Sequence, residues 1–163
     1  MARYFEKISF DQFVKDVTDD RMLYDSIELP KRSTKNSAGY DIKSIEDGII
    51  KPGEYKRFKT GLKVSMNDDE VLYIYPRSSI GYKNGVSMVN SVGVIDSDFY
   101  NNPDNEGHFQ VKLVNLGDKD FEVKIGDRIA QGVFMKYLTV DNEDEIDSVR
   151  TGGLGSTNKE GND

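Results

Sequence analysis

The sequence predicts an all-β fold of the distorted jelly-roll or β-barrel kind, with a short N-terminal helix and a flexible C-terminal tail. From about residue 23 onward, runs of β-branched and aromatic residues recur, as at 71–76 and 121–126. Turn signals separate these runs at 51–53, 83–85 and 115–118. That spacing is typical of many short antiparallel strands.

The first predicted element is one short amphipathic helix near the N-terminus. Ser9 and Gln12 form a capping-box pattern, and apolar residues follow at helical spacing: Phe10, Phe13, Val14 and Val17. The helix is short and its polar face is not basic, so its apolar face is expected to pack on the main body rather than on a membrane. We assign residues 1–22 to this helical extension and residues 23–140 to the jelly-roll domain.

The C-terminal arm, residues 141–163, begins with an acidic run that we interpret as a solvated loop. It continues with the glycine-rich stretch 151–158 and a polar tail. Composition alone predicts that this arm is flexible.

Composition restricts the kinds of site the chain can hold. At 163 residues it is the length of one domain with a single core. It has no cysteine and one histidine, His108, so disulfides and the usual zinc sites are disfavoured and a metal would be a hard cation such as Mg²⁺. We expect His108 to be a surface residue of a strand.

Charge and hydropathy predict the setting of the protein. A net charge of −7 argues against binding to nucleic acid or to an anionic membrane. The N-terminus lacks a secretory pattern, and no segment approaches membrane-spanning length. We therefore expect a cytoplasmic protein.

Five short stretches of the sequence have the composition of a functional site rather than of a core. Two of them carry most of the predicted chemistry. In 76–83, Arg77 offers a rigid donor fork, the serines add hydroxyl and backbone donors, and Gly81 allows close approach of a phosphate. Taken alone, that stretch could equally be an ordinary surface turn. In 90–100, Asp96 follows two apolar residues at a strand end, which suits a general base, although a lone aspartate there could simply close a hairpin.

The other three stretches are less specific one by one. Asp41 ends a small-residue turn in 37–42, where a turn aspartate bonding its own backbone is the simpler interpretation. Residues 126–134 contain Arg128, expected to pair with a carboxylate, and Gln131. Residues 150–157 expose backbone donors and Arg150 to a phosphate, or else form a disordered terminus.

In their order along residues 37–157, the five stretches resemble the five motifs of the trimeric dUTPase family, in particular its phage and Gram-positive members. The resemblance implies a dUTPase-like jelly roll that hydrolyses dUTP to dUMP and pyrophosphate with Mg²⁺. It implies a homotrimer in which the third motif, the phosphate-binding motifs and the tail of each site come from different subunits.

The same resemblance implies roles for individual residues. Asp96 activates the water that attacks the α-phosphorus, while Asp41 and Gln131 lie in the outer shell of a magnesium ion held mainly by phosphates. The implied substrate-binding residues are Arg77, Ser78, Ser79, Gly81, Asn90, Gly93, Val94, Ile95, Phe99, Tyr100, Gln110, Gln131, Arg150, Leu154, Gly155, Ser156 and Thr157.

The chain departs from the family pattern in two places. The tyrosine expected over the deoxyribose is replaced by Phe99, with Tyr100 next, and the loop at 101–106 is longer than usual. In the tail, Leu154 stands where an aromatic residue usually stacks on uracil, and the gap from Arg150 is one residue shorter. Either the Phe99 ring or the Tyr100 ring could cover the deoxyribose.

Three other functions are weighed against this one. A dCTP deaminase shares the fold but needs an acid/base residue at the cytosine amino group. The hairpin expected to read the base, within 90–96, offers no suitable glutamate. A dUTPase that also binds a repressor would use the N-terminal helix and the longer loop as extra surface. A jelly-roll protein without catalytic activity is disfavoured, because the five site-like stretches would then be a coincidence.

Overall fold

A computed structural model describes residues 2–153 of the chain. Over this range the strands are β1 (Tyr4–Lys7), β2 (Lys31–Arg32), β3 (Tyr40–Lys43), β4 (Gly48–Ile50), β5 (Tyr55–Ser65), β6 (Glu70–Pro76), β7 (Val86–Met88), β8 (Gly93–Asp96), β9 (Phe109–Asn115), β10 (Phe121–Val123) and β11 (Arg128–Lys136). The helices are α1 (Phe10–Asp16), α2 (Arg21–Ser26) and α3 (Ser78–Asn84), and Ser97–Phe99 forms a 3₁₀ turn.

Two antiparallel sheets enclose the core, which confirms the predicted all-β class. One has the strand order β1-β5-β9-β7 and the other β2-β3-β11-β6-β8, with a small pair of β10 and β4 beside them. Strand β9 alternates strictly between buried and half-buried residues, as a strand with one face on the core does. Fully buried side chains from both sheets meet between them, among them Phe58, Leu72, Leu113 and Ile129.

The predicted N-terminal helix is present as α1, and its cap is partly the expected one. The Ser9 hydroxyl accepts a hydrogen bond from the Gln12 backbone N–H at 3.1 Å. The other half of a capping box is missing, because the Ser9 N–H donates to the Glu106 carboxylate at 2.9 Å rather than to Gln12. The start of the chain is thereby joined to the long loop after β8.

Residues 1–22 are not purely helical, which corrects the predicted extension. Strand β1 pairs with β5 in register from Tyr4 opposite Ser65 to Lys7 opposite Leu62. Arg3 adds an ion pair with Glu70, whose side chain is buried. The N-terminal segment is therefore an edge of the sandwich. None of the helices within residues 2–153 is long and apolar enough to cross a bilayer.

Candidate active site

A cavity of about 340 Å³ opens beside β8, the strand that ends in Asp96. The hydrogen-bonded register sets Gly93 opposite Ile74 of β6, so the pair of β6 and β8 forms part of the wall. The hairpin expected within 90–96 is not formed, because β7 pairs with β9 in one sheet and β8 with β6 in the other. The cavity brings together many of the residues predicted from sequence: Asn90, Gly93, Val94, Ile95, Asp96, Phe99, Gln110 and Arg150. It will be called the base cavity.

Asp96 is held by a residue of the C-terminal arm. The Arg150 guanidinium donates from Nη2 to Asp96 Oδ2 at 2.6 Å and from Nε to Asp98 Oδ1 at 2.9 Å. The Asp96 side chain keeps 50% of its surface exposed, whereas Arg150 keeps 19%. The carboxylate is therefore fixed in direction but open to water and ligand.

Of the two aromatic candidates, Phe99 lines the base cavity and Tyr100 does not. The Phe99 ring lies 5.9 Å from Arg150 Cζ. The Tyr100 hydroxyl instead contacts the Glu6 carboxylate and lies 3.0 Å from the Tyr4 hydroxyl, on the side of β1. Burial and the hydrogen bond to Glu6 raise the pKa of Tyr100, so it stays a neutral structural contact.

The predicted phosphate and metal residues form a second cavity of about 360 Å³, here called the phosphate face, lined by Asp41, Arg77, Ser78 and Gln131 among others. Asp41 lies between two guanidiniums, with Arg77 Nε at 3.0 Å and Arg128 Nη1 at 3.2 Å. The expected pairing of Arg128 with a carboxylate is thus confirmed. Burial raises the pKa of Asp41, but the Ser33 hydroxyl and the two arginines outweigh burial and lower it overall.

A glycine makes room for Gln131 on this face. Gln131 lies opposite Asp41 on β3 and opposite Tyr75 on β6, and its amide donates to the Pro76 carbonyl at 3.4 Å. A Cβ atom on residue 39 would overlap the Gln131 side-chain oxygen, so Gly39 is required for that placement. Ser79 and Gly81 lie exposed on α3, outside the cavity.

A single chain holds the two groups of predicted residues far apart. Asp96 is opposite Val71 near one end of β6, whereas Arg77 directly follows the other end of that strand. Six residues of extended chain separate positions 71 and 77, which at about 3.3 Å per residue is roughly 20 Å. The base cavity and the phosphate face of one chain are therefore separate sites.

Comparison with known proteins gives a consistent result. A family model described as dUTPase matches residues 25–158. The deoxyuridine 5'-triphosphate nucleotidohydrolase of Lactococcus lactis is 52% identical over 132 residues, covering 80% of this chain and 88% of that protein. The chain belongs to the dUTPase family.

Solved structures agree with this membership. A crystal structure of dUTPase from Streptococcus mutans has a TM-score of 0.70 at 43% identity and covers 85% of this chain and 99% of its own. A Staphylococcus bacteriophage 80alpha dUTPase has a TM-score of 0.66 at 19% identity, covering 90% of this chain and 99% of its own, which supports the fold alone.

In this dUTPase-family chain His108 is buried, so its predicted position on the surface is wrong. It keeps 2% of its surface and lies at the wall of the base cavity. Nδ1 is 2.6 Å from Asp16 Oδ2, and Nε2 accepts from the Gly61 N–H at 3.0 Å. Burial lowers the pKa of His108 more than Asp16 raises it, which favours the neutral ring. The ring connects α1 to the cavity wall.

The family resemblance implies that the tail and the third motif come from different subunits, and this stays a prediction. In the single chain described, residues 150–153 lie near the third motif. Arg150 contacts Asp96 of its own chain, and the Gly153 N–H donates to Asp104 of the same chain at 3.3 Å. Four predicted tail residues lie outside the described residues: Leu154, Gly155, Ser156 and Thr157.

Several residues of the base cavity were not predicted from the sequence. Asp104 and Asn105 reach it from the long loop, whose unusual length was the available signal. Arg57 on β5 and Met88 at the end of β7 also line it, and nothing in their local sequence distinguishes them from ordinary strand residues.

Proposed function

We propose that this chain is a dUTP diphosphatase that hydrolyses dUTP to dUMP and pyrophosphate. The observation that carries the proposal is the Asp96 carboxylate at the tip of β8, in one cavity with Asn90 and the Phe99 ring. Asp96 accepts a proton from the water that attacks the α-phosphorus, and the bond to pyrophosphate breaks. Family membership and the names of the close relatives support the same reaction.

Recognition of the base is assigned to Asn90 and strand β8. Uracil presents an N–H donor between two carbonyl acceptors, and Asn90 with the backbone of β8 offers complementary groups. Cytosine would leave buried polar groups unpaired, which is a strong basis for rejection. Ile74 and Met88 form apolar walls of the cavity, and Phe99 is the ring available to pack on the deoxyribose and exclude a 2′-hydroxyl.

Arg77 and Ser78 bind the phosphates in this proposal, with Ser79 and Gly81 beside them on α3. Asp41 and Gln131 share a cavity and offer hard oxygen atoms of the kind magnesium accepts, directly or through its waters. Mg²⁺, when bound, neutralises charge on the phosphates. Arg77 and Arg128 hold Asp41 ionised and oriented for this role.

The active site is shared between copies of the chain, because one copy separates the base cavity from the phosphate face. We assign a homotrimer in which the base cavity of one subunit meets the phosphate face of the next. Light scattering should give three times the chain mass of 18.4 kDa. A monomer that retains full activity would contradict this arrangement.

Pyrophosphate release with dUTP, dCTP, dTTP and UTP tests the reaction itself. Hydrolysis of dUTP should exceed that of the other three by a wide margin in kcat/KM, and a chelator should abolish it until Mg²⁺ is added back. Ammonia release from dCTP is measured in parallel. Ammonia without pyrophosphate would replace the proposal with a deaminase.

Binding of a repressor stays a prediction. The helix and loop that it would use are joined to each other through Ser9 and Glu106.

A further inference from the structure

The geometry points to Asn102 as a positioning residue that holds the Phe99 ring against the deoxyribose and so contributes to the selection of dUTP over UTP. Phe99 lines the base cavity and Asn102 does not, so Asn102 acts through Phe99. Asn102 belongs to the loop at 101–106, the segment by which this chain departs from the family pattern. The inference rests on the proposed function, in which the Phe99 ring packs on the sugar and excludes a 2′-hydroxyl.

Asn102 is buried, and its side-chain amide is fully hydrogen-bonded. It keeps 4% of its surface. Nδ2 donates to the Phe99 carbonyl and to Asn105 Oδ1, both at 2.8 Å. Oδ1 accepts from the backbone N–H groups of Asp104 and Asn105, both at 3.1 Å. An amide has two N–H donors and an oxygen that accepts twice, so its whole capacity is used, and such a buried group specifies one conformation of the backbone around it.

The Phe99 carbonyl is the point at which the loop holds this ring. Phe99 is the last residue of the 3₁₀ turn, and a carbonyl at such an end has no partner within its own turn. Beside the Asn102 side chain, the Asn102 backbone N–H also donates to it, at 3.4 Å. At Gly107, φ is +85 and a Cβ would lie 2.6 Å from the same carbonyl oxygen. The backbone at residue 99 is therefore closely packed as well as hydrogen-bonded.

The loop is itself fastened to the rest of the chain, so Asn102 is a fixed support. The Asn101 N–H donates to the Glu106 carbonyl at 2.9 Å, which closes the loop. The Lys63 ammonium reaches Asn101 Oδ1 at 2.6 Å and the Glu106 carboxylate at 3.2 Å. The Ser9 backbone N–H donates to the same carboxylate at 2.9 Å. The body of the protein thus fixes the loop, and the loop fixes Phe99.

Selection between the two sugars depends on how firmly the ring is held. The neighbouring Tyr100 is directed away by its contact with Glu6, so Phe99 is the ring of this pair that lines the cavity. An apolar wall rejects an added hydroxyl weakly, and only by steric contact. Loss of the Asn102 amide frees the Phe99 backbone, and the ring then gives way to the 2′-hydroxyl of UTP. The chemical step at Asp96 is not affected directly.

The test measures kcat/KM for dUTP and for UTP in Asn102→Ala, as pyrophosphate release from one preparation. The ratio of the two values does not depend on how much of the protein is folded, so a loss of stability alone leaves it unchanged. We expect the preference for dUTP over UTP to fall about three- to tenfold, the range of one hydrogen bond. The kcat for dUTP should change less, because Asp96 is untouched.

Asn102→Asp is the second variant. It keeps an oxygen for the N–H groups of Asp104 and Asn105, but its carboxylate has no hydrogen to donate to the Phe99 carbonyl. The preference for dUTP should fall at least as far as in Asn102→Ala. This variant gives the answer if Asn102→Ala does not fold.

Asn115→Ala is the matched control, since it removes an equally buried amide away from the base cavity. The Asn115 amide donates to the carbonyls of Ile50 and Lys119, both at 2.7 Å. The control should lower stability and leave the preference for dUTP at its wild-type value. Wild-type preference in both Asn102 variants would overturn the inference and leave the proposed function standing. A wild-type protein that hydrolyses neither nucleotide would overturn the proposed function, and the inference with it.

Discussion

The base cavity and the phosphate face are built in different ways. The base cavity is lined by strand β8, the turn that precedes it and the loop at 101–106. The phosphate face is polar, and Asp41 is held there between Arg77 and Arg128. In the proposed homotrimer, this contrast means that the charge-neutralising groups of each site are supplied by a second copy of the chain.

The largest expected effect is on the base side, at Asp96. Asp96→Asn keeps the size of the side chain but removes the proton acceptor, so kcat for dUTP should fall by about 10² to 10⁴. Binding of a non-hydrolysable imido analogue of dUTP, measured by calorimetry, should be retained because the cavity walls are unchanged. Turnover equal to wild type would remove Asp96 from the mechanism.

The next prediction tests whether the two regions act across subunits. Asp96→Asn and Arg77→Ala should each be nearly inactive alone. Subunits mixed in denaturant and refolded together should recover activity, since random assembly pairs an intact base cavity with an intact phosphate face in about a quarter of sites. If both residues served the same site from one chain, no mixture would recover, and this is the outcome that would refute sharing.

The base cavity should make the stability of the whole chain sensitive to mild acid. The single histidine of the chain lines the base cavity, and burial lowers its pKa. The unfolded chain therefore binds the proton more readily, so this contribution to stability is present above about pH 6.5 and is lost as the pH falls. The slope can reach at most about 1.4 kcal/mol per pH unit for one proton.

Urea unfolding followed by circular dichroism between about pH 5 and 7 measures this slope. His108→Gln should flatten it. Asp16→Asn removes the carboxylate that raises the pKa of His108, so the loss of stability should extend to lower pH. A slope that is the same in wild type and His108→Gln would show that other groups cause it.

The smallest expected effect concerns Leu154, which lies outside the described residues. An aromatic ring at this position stacks on uracil in the family pattern, and leucine lacks the flat face. Leu154→Phe should lower the KM for dUTP about two- to tenfold, the range of one aromatic contact. Leu154→Ile, which adds no ring, should leave KM near wild type and serves as the control.

The sequence was sufficient for the fold class because alternation in strands such as β9 is a local signal. It did not predict β1, because these four residues form a strand only by pairing with β5, about sixty residues further along the chain. The seven-residue helix α3 was also missed, because the Pro-Arg-Ser-Ser stretch indicates a turn as readily as a helix start. Short elements depend on tertiary partners more than on their own pattern.

The same distinction applies to the site. Residues inside continuous motifs, such as Asp96 and Gln131, could be named from the sequence, since the motif itself specifies them. The burial of His108 depends on Asp16 and Gly61, which are distant in sequence. The choice of Phe99 over Tyr100 depends on Glu6 at the other end of the chain. Such contacts are determined by the packing of the whole molecule.

Strand β6 has a consequence for how this protein tolerates change. It runs without interruption from near Asp96 to Arg77, so the spacing of the two half-sites is a rigid property of each subunit. In the proposed trimer, catalytic alignment then depends on how neighbouring subunits pack, and a misplacement of about 1 Å can slow turnover about 100-fold. Substitutions at the contacts between subunits, far from any nucleotide, should be as damaging to turnover as substitutions beside it.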